Sequence, residues 1–161
     1  MRNNFVTKEN NANFAKAEML IRKPVSEVFE AFINPAVTTK FWFTKSTGKL
    51  VVGKKVEWTW EMYNHTVPVF VKSIKSDKTI IIEWGNYDER TTIEWTFKQL
   101  GEDSTFVSII NSGFTGEIEQ LISQIRDSTE GFTMVLAGLK AYLEHGIQLN
   151  LIADRFPKGI V

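Results

Sequence analysis

The 161-residue chain contains no cysteine, which excludes disulfides, zinc–thiolate sites and cysteine nucleophiles and suits a reducing, cytoplasmic setting. Long apolar runs are missing as well. Nothing approaches the roughly 18 residues of a membrane span, and the opening Met1-Arg2-Asn3-Asn4-Phe5-Val6-Thr7 lacks the apolar segment of a signal peptide, so neither export nor a membrane partner is expected. There is no excess of one charge: 19 basic residues balance 19 acidic ones, and no global field draws the chain to nucleic acid. No Pro/Gly-rich linker, low-complexity tract or internal repeat divides the sequence. Residues 1–161 are therefore read as a single domain, long enough to remove about 70% of its unfolded surface from water without covalent staples. What the chain has in abundance is aromatic side chains, 5 Trp and 12 Phe.

Residues 1–13 are polar and Asn-rich (Asn3, Asn4, Asn10, Asn11, Asn13) and read as a loosely held terminus. Phe14 to Arg22 can form a strand that Lys23-Pro24 ends. Val25, Val28, Phe29 and Phe32 follow at helical spacing. Asn34-Pro35 stops that helix and starts a short one over Pro35 to Phe43, with Asn as N-cap and Pro in the first turn. A long period-2 stretch comes next: Val56, Trp58, Trp60 and Met62 alternate with Lys55, Glu57, Thr59 and Glu61. Val67, Val69 and Val71 continue the pattern, then Ile80, Ile82 and Trp84, then Thr91, Ile93, Trp95 and Phe97, then Thr105, Val107 and Ile109. Turn chemistry at Asn64-His65, Ser76-Asp77, Gly85-Asn86 and Gly101-Glu102-Asp103 separates these runs at hairpin distances, which predicts an antiparallel meander. Leu121, Ile125, Ser128, Phe132, Val135, Leu136, Leu139 and Leu143 share one face of a long helix ending at His145-Gly146, and 147–161 is read as a tail.

The fold class is therefore α+β: a curved antiparallel sheet wrapped around a long C-terminal helix, with two short helices after the first strand. A bent sheet and a straight helix cannot stay in contact along their whole length, so a cavity is expected between them.

This order of elements resembles the helix-grip fold of the START-like, or SRPBCC, superfamily. Within that superfamily it resembles the homologues of the activator of the ninety-kilodalton heat-shock protein's ATPase. The resemblance is carried by Lys23-Pro24-Val25-Ser26-Glu27-Val28-Phe29-Glu30-Ala31-Phe32, by Asn34-Pro35 leading to Phe41-Trp42-Phe43, and by Ile80-Ile81-Ile82-Glu83-Trp84. Asn111-Ser112-Gly113-Phe114 and Gly131-Phe132 ahead of Leu139-Lys140-Ala141-Tyr142-Leu143 complete it, so it spans Phe14 to Gly146. It implies a domain that binds or cyclises apolar molecules. Members of that family often carry His where this chain has Asn111, so the resemblance assigns Asn111 no acid/base duty.

No nucleophile elbow, phosphate-binding Gly loop, H-E-x-x-H pair or EF-hand is present, and neither a cofactor nor a metal site is expected. His65 falls in a turn and His145 at a helix end. Alternation sends Glu57, Glu61, Glu83 and Glu94 away from the tryptophan face, with Glu94 the one that a bulge could turn inward. Thr91, Thr105, Asn111 and Ser128 are the inward polar groups, able to orient a ligand or to pair with one another. Lys40, Lys45, Lys49, Lys54 and Lys55 run without an acidic residue from Glu30 to Glu57 and read as a solvated edge or a basic rim for an anionic ligand.

The leading expectation is a binding protein for a small apolar, optionally anionic, ligand. Trp58, Trp60, Trp84, Trp95 and Phe132 form the wall, Thr91 and Asn111 provide polar orientation, and Trp42 guards the entrance. An enzyme of the polyketide cyclase or hydratase type is the alternative, and a stress or chaperone-associated accessory protein is a further one. Homodimerisation is left open.

Overall fold

Strands that alternate apolar and polar side chains can bury only one face, and here they bury it against one long helix. The computed structural model describes residues 13–160, so the expectation of a loose N-terminus falls almost wholly outside the described residues. The elements are β1 (Phe14–Ile21), α1 (Val25–Ile33), α2 (Pro35–Thr38), β2 (Lys45–Ser46), β3 (Lys55–Trp60), β4 (His65–Lys75), β5 (Thr79–Trp84), β6 (Thr91–Gln99), β7 (Thr105–Ser112), α3 (Ile118–His145) and α4 (Leu151–Arg155). The 7-stranded sheet has the order β1-β7-β6-β5-β4-β3-β2, antiparallel throughout. This is the helix-grip architecture anticipated from the alternation.

The concave face carries Val56, Trp58 and Trp60 from β3, Val67, Val69 and Val71 from β4, Ile80 and Ile82 from β5, Ile93, Trp95 and Phe97 from β6, and Val107 and Ile109 from β7, all buried. Glu94 stays exposed on the convex face: the one irregularity between β4 and β5 lies at Val71/Ser73, not in β6, so no bulge turns this carboxylate inward. Pro68 is tolerated within β4 because its carbonyl accepts from Gly85 N–H at 3.1 Å just where β5 has ended, leaving no strand residue opposite its missing N–H.

Local chemistry sets the helix ends. The Asn34 side chain accepts from Ala36 N–H at 3.0 Å and Pro35 opens α2, as the sequence pattern requires. Glu117 and Gln120 cap α3 reciprocally, Gln120 Oε1 accepting from Glu117 N–H at 2.9 Å, and Gly146 ends it at φ 65°, where a residue without Cβ is favoured.

Three boundaries differ from the sequence reading. β3 stops at Trp60, and Met62 lies in a 3₁₀ turn (Glu61–Tyr63) closed by left-handed Asn64, so Met62 does not continue the strand row. α2 stops at Thr38, whose hydroxyl donates to Ala31 O at 2.6 Å and lies 3.0 Å from Asn34 O, folding the chain back toward α1. The segment read as a tail contains α4, with Ile152 packed against the core.

Candidate binding cavity

The early end of α2 delivers Phe41, Trp42 and Phe43 into the sheet's concavity from an irregular loop. Trp42, 6% exposed, becomes the hub of the aromatic core. Its ring centroid lies 4.8 Å from Trp58, 6.3 Å from Trp60, 5.9 Å from Trp84, 6.1 Å from Trp95 and 5.6 Å from Phe132. Phe43 stacks on Trp58 at 4.5 Å. Trp42 is therefore no entrance guard on a helix; it fills the space among the sheet tryptophans that was expected to be hollow. Trp58 and Trp95 are 1% and 0% exposed and lie beneath the cavity, away from its surface.

The hollow lies beside this cluster. A cavity of about 1100 Å³ sits between the N-terminal half of α3, the ends of β5, β6 and β7, and α4. Trp42, Trp84, Phe132 and Val135 give it an apolar floor, and Thr91, Asn111 and Ser128 a polar ledge. Asn111, 2% exposed, organises the ledge. Its amide nitrogen donates to Thr92 O and to Thr91 Oγ1, both at 2.9 Å, and its oxygen accepts from Ser128 Oγ at 2.8 Å. Trp84 Nε1–H also donates to Thr91 Oγ1, at 2.9 Å. The inward polar groups thus pair with one another, while Thr105, donating to Lys23 O at 2.9 Å, belongs to the opposite end of β7. The buried indole N–H of Trp95 finds no partner within the described residues.

α4 closes one side of the cavity. Tyr63 Oη donates to the carbonyl of Ile152, Arg155 pairs with Glu130 of α3, and the Arg155 guanidinium sits 4.3 Å from the ring centre of Phe156. A smaller groove of about 350 Å³, lined by Trp60, His65 and Val67, adjoins it and shares Tyr63, His65, Trp84, Glu89 and Ile152 with the larger space.

Charge at the cavity opposes the expected basic rim. None of Lys40, Lys45, Lys49, Lys54 and Lys55 lines it. Lys45 pairs with Glu61 at 3.2 Å and Lys49 with Glu30 at 3.5 Å, acids supplied from other elements, and Lys55 pairs with Glu57 of its own strand at 3.7 Å, so much of that run has an acidic partner. The charged lining groups are Asp88, Glu89, Glu119, Asp127 and Arg155. Among the described residues none of these four carboxylates is ion-paired. The expected lysine rim is not part of this cavity.

Of the residues singled out from the sequence, Trp42, Trp84, Thr91, Asn111 and Phe132 meet at this cavity, Trp60 faces the adjoining groove, and Trp58 and Trp95 are core. Sequence reasoning missed Tyr63 and the α4 residues Ile152 and Arg155. Asn64, a turn signal just after Tyr63, and the adjacent apolar pair Leu151-Ile152 in the tail were the available signs.

The comparisons with known proteins agree with this geometry. No curated protein matches the chain. Among solved structures, protein SSP2350 of Staphylococcus saprophyticus is 26% identical, with a TM-score of 0.72 over 84% of this chain and 95% of that one. The Aha1 dimer of Colwellia psychrerythraea is 18% identical, with a TM-score of 0.71 over 83% and 97%. DynU16, a protein of the dynemicin biosynthetic locus, is 17% identical, with a TM-score of 0.73 over 84% of this chain and 49% of that one. The model of the family described as activator of Hsp90 ATPase homolog 1-like protein matches residues 22–144, running from the end of β1 almost to the end of α3 and taking in the aromatic hub and the Asn111 ledge, and the chain belongs to that family.

Proposed function

We propose that the chain is a binding protein whose cavity holds a small, largely apolar, uncharged molecule. The observation that carries this is the cavity itself: about 1100 Å³, floored by Trp42, Trp84 and Phe132, with a hydrogen-bonding ledge on one side and mostly acidic groups among its charged lining. Apolar floors with few convergent polar groups are the usual build of small-molecule sites. The unpaired carboxylates disfavour an anionic guest. We favour binding over cyclase or hydratase turnover because the ledge groups Thr91, Asn111 and Ser128 do not transfer protons readily at neutral pH, and the lining groups that could, His65, Asp88, Glu89, Glu119 and Asp127, are solvent-exposed. The setting proposed is cytoplasmic; no described helix is long and apolar enough to cross a membrane. The dimeric Colwellia relative supports a homodimer, which light scattering tests.

Native mass spectrometry of the full chain purified from its own host should reveal a copurifying small molecule. A panel of apolar compounds should quench tryptophan emission saturably and raise the melting temperature by mass action. A panel that does neither, with nothing copurifying, overturns the proposal in favour of a surface-interaction role.

A further inference from the structure

The hydrogen-bond chain at the ledge has only one self-consistent direction. Thr92 O is a carbonyl and can only accept, so the Asn111 group 2.9 Å from it is the NH₂. The second N–H of that group then points to Thr91 Oγ1 at 2.9 Å, and Trp84 Nε1–H, a donor only, points to the same oxygen at 2.9 Å. Both acceptor positions of the Thr91 hydroxyl are occupied from within the protein, and its own hydrogen has no protein acceptor among the described residues. At the other end, Asn111 Oδ1 can only accept, so the Ser128 hydroxyl hydrogen, 2.8 Å away, is already committed. Ser128 can offer a ligand lone pairs but no proton.

Resting on the binding reading above, we infer that Thr91 is the specificity-determining donor of the cavity, and that the ligand is a neutral apolar molecule carrying a carbonyl-type acceptor placed against the Thr91 hydroxyl. Two N–H donors polarise that hydroxyl, which strengthens the bond it gives outward. Trp84, held by the same oxygen, lies in the cavity floor, so the acceptor and the ring next to it are fixed together. A carboxylate would meet the same donor but faces Asp127 and Glu119 in the same lining. A plain hydrocarbon leaves the Thr91 hydrogen bond unmade, and a buried donor without a partner is disfavoured.

The test uses the full chain and two probes of nearly equal shape, 2-acetylnaphthalene and 2-ethylnaphthalene. The ketone-to-hydrocarbon affinity ratio should fall about tenfold in Thr91→Val, the worth of one neutral hydrogen bond, and should be kept in Thr91→Ser. Ile122→Ala, on the exposed side of α3 and outside the cavity lining, should leave the ratio as in wild type. Infrared spectroscopy of the bound ketone should show its carbonyl stretch lowered in wild type and Thr91→Ser and returned toward the free value in Thr91→Val. An unchanged ratio between wild type and Thr91→Val, or a carbonyl stretch in wild type at its value in hydrocarbon solvent, overturns the assignment while leaving the binding reading standing. If neither probe binds wild type, both fall. Should Thr91→Val not fold, the wild-type stretch and the retained ratio in Thr91→Ser decide the matter.

Discussion

Between Phe132 and Leu139, α3 buries Phe132, Val135, Leu136, Gly138 and Leu139 against β1, the sheet and the Phe41 loop, whereas between Ile118 and Gly131 the same helix buries nothing fully, and Ile118 and Ile122 are 72% and 56% exposed. Both halves carry the apolar spacing of one amphipathic helix. The difference is that the first half borders the cavity, where the chain places Gln120, Gln124, Asp127 and Ser128 along the open space. Stability is thus concentrated at one end of α3 and ligand contact at the other, so the same type of substitution should read out differently in the two halves.

The largest effect is expected at the closed half. Leu136, fully buried, should cost about 2–5 kcal/mol when replaced by Ala, measured by urea denaturation; a cost near zero would mean that this half does not carry the core. Next comes the ledge that joins the halves. Asn111→Leu removes the side-chain donor to Thr92 O and the acceptor of the Ser128 hydroxyl, and a loss of about 1–3 kcal/mol is expected; no loss would show that the ledge serves a ligand alone. Gly138→Ala places a methyl group 3.2 Å from Phe41 Cβ and 3.3 Å from Phe41 O. Strain of about 1–3 kcal/mol should outweigh the helix-propensity gain of about 1 kcal/mol, giving a net loss that thermal melting detects.

A smaller effect depends on pH. Burial pushes the Glu144 carboxyl upward, but hydrogen bonds from the Arg22 N–H at 3.0 Å and Lys140 Nζ at 2.6 Å outweigh it and hold the group below its usual value of 4.5. The unfolded chain therefore binds this proton first as pH falls, so the stabilisation is present above about pH 4.5 and is lost as pH drops through the lower folded value. The melting-temperature advantage of wild type over Glu144→Gln should shrink on acidification, and a gap that does not change with pH would remove the ion pair from the account. The smallest effect belongs to the open half: Ile122→Ala should change stability by no more than about 0.5 kcal/mol by the same urea measurement.

The contrast also explains what was legible in the sequence. Strand faces and the α3 stripe follow local periodicity, and Val56, Trp58, Trp60, Ile93 and Trp95 lie where alternation sends them. Trp42 and Phe43 come from a loop with no period, and their insertion into the concavity depends on where α2 ends, which Thr38 decides by folding back on Ala31. That one insertion fills the middle of the expected hollow and leaves the open space beside Trp84. Thr91 and Asn111 were identifiable because both continue inward rows. The sign of the surrounding charge was not, because Glu30 and Glu61, which neutralise Lys49 and Lys45, and Asp88 and Glu119, which line the cavity, are brought into place by the fold.

The pairing of β1 has a consequence for how the molecule assembles. Among the described residues its sheet neighbour is β7, with Phe14 opposite Ser112 and Ile21 opposite Thr105, and it also meets the far end of α3, through Lys140 on Leu20 O at 2.9 Å. Contacts between segments so distant along the chain require closure of a long loop before they return any free energy, and proteins dominated by such contacts fold slowly. The meander from β3 to β7 can zip from hairpin to hairpin, while β1 and α1 wait for β7 and then for α3. The ledge joins residues near in sequence, Asn111 and Ser128 being 17 apart, but the cavity floor takes Trp42 from the segment after α1 and α2, so the floor is complete only after that segment docks. The cavity is thus expected to form late, and folding followed through a cavity-bound dye should lag behind folding followed through strand formation.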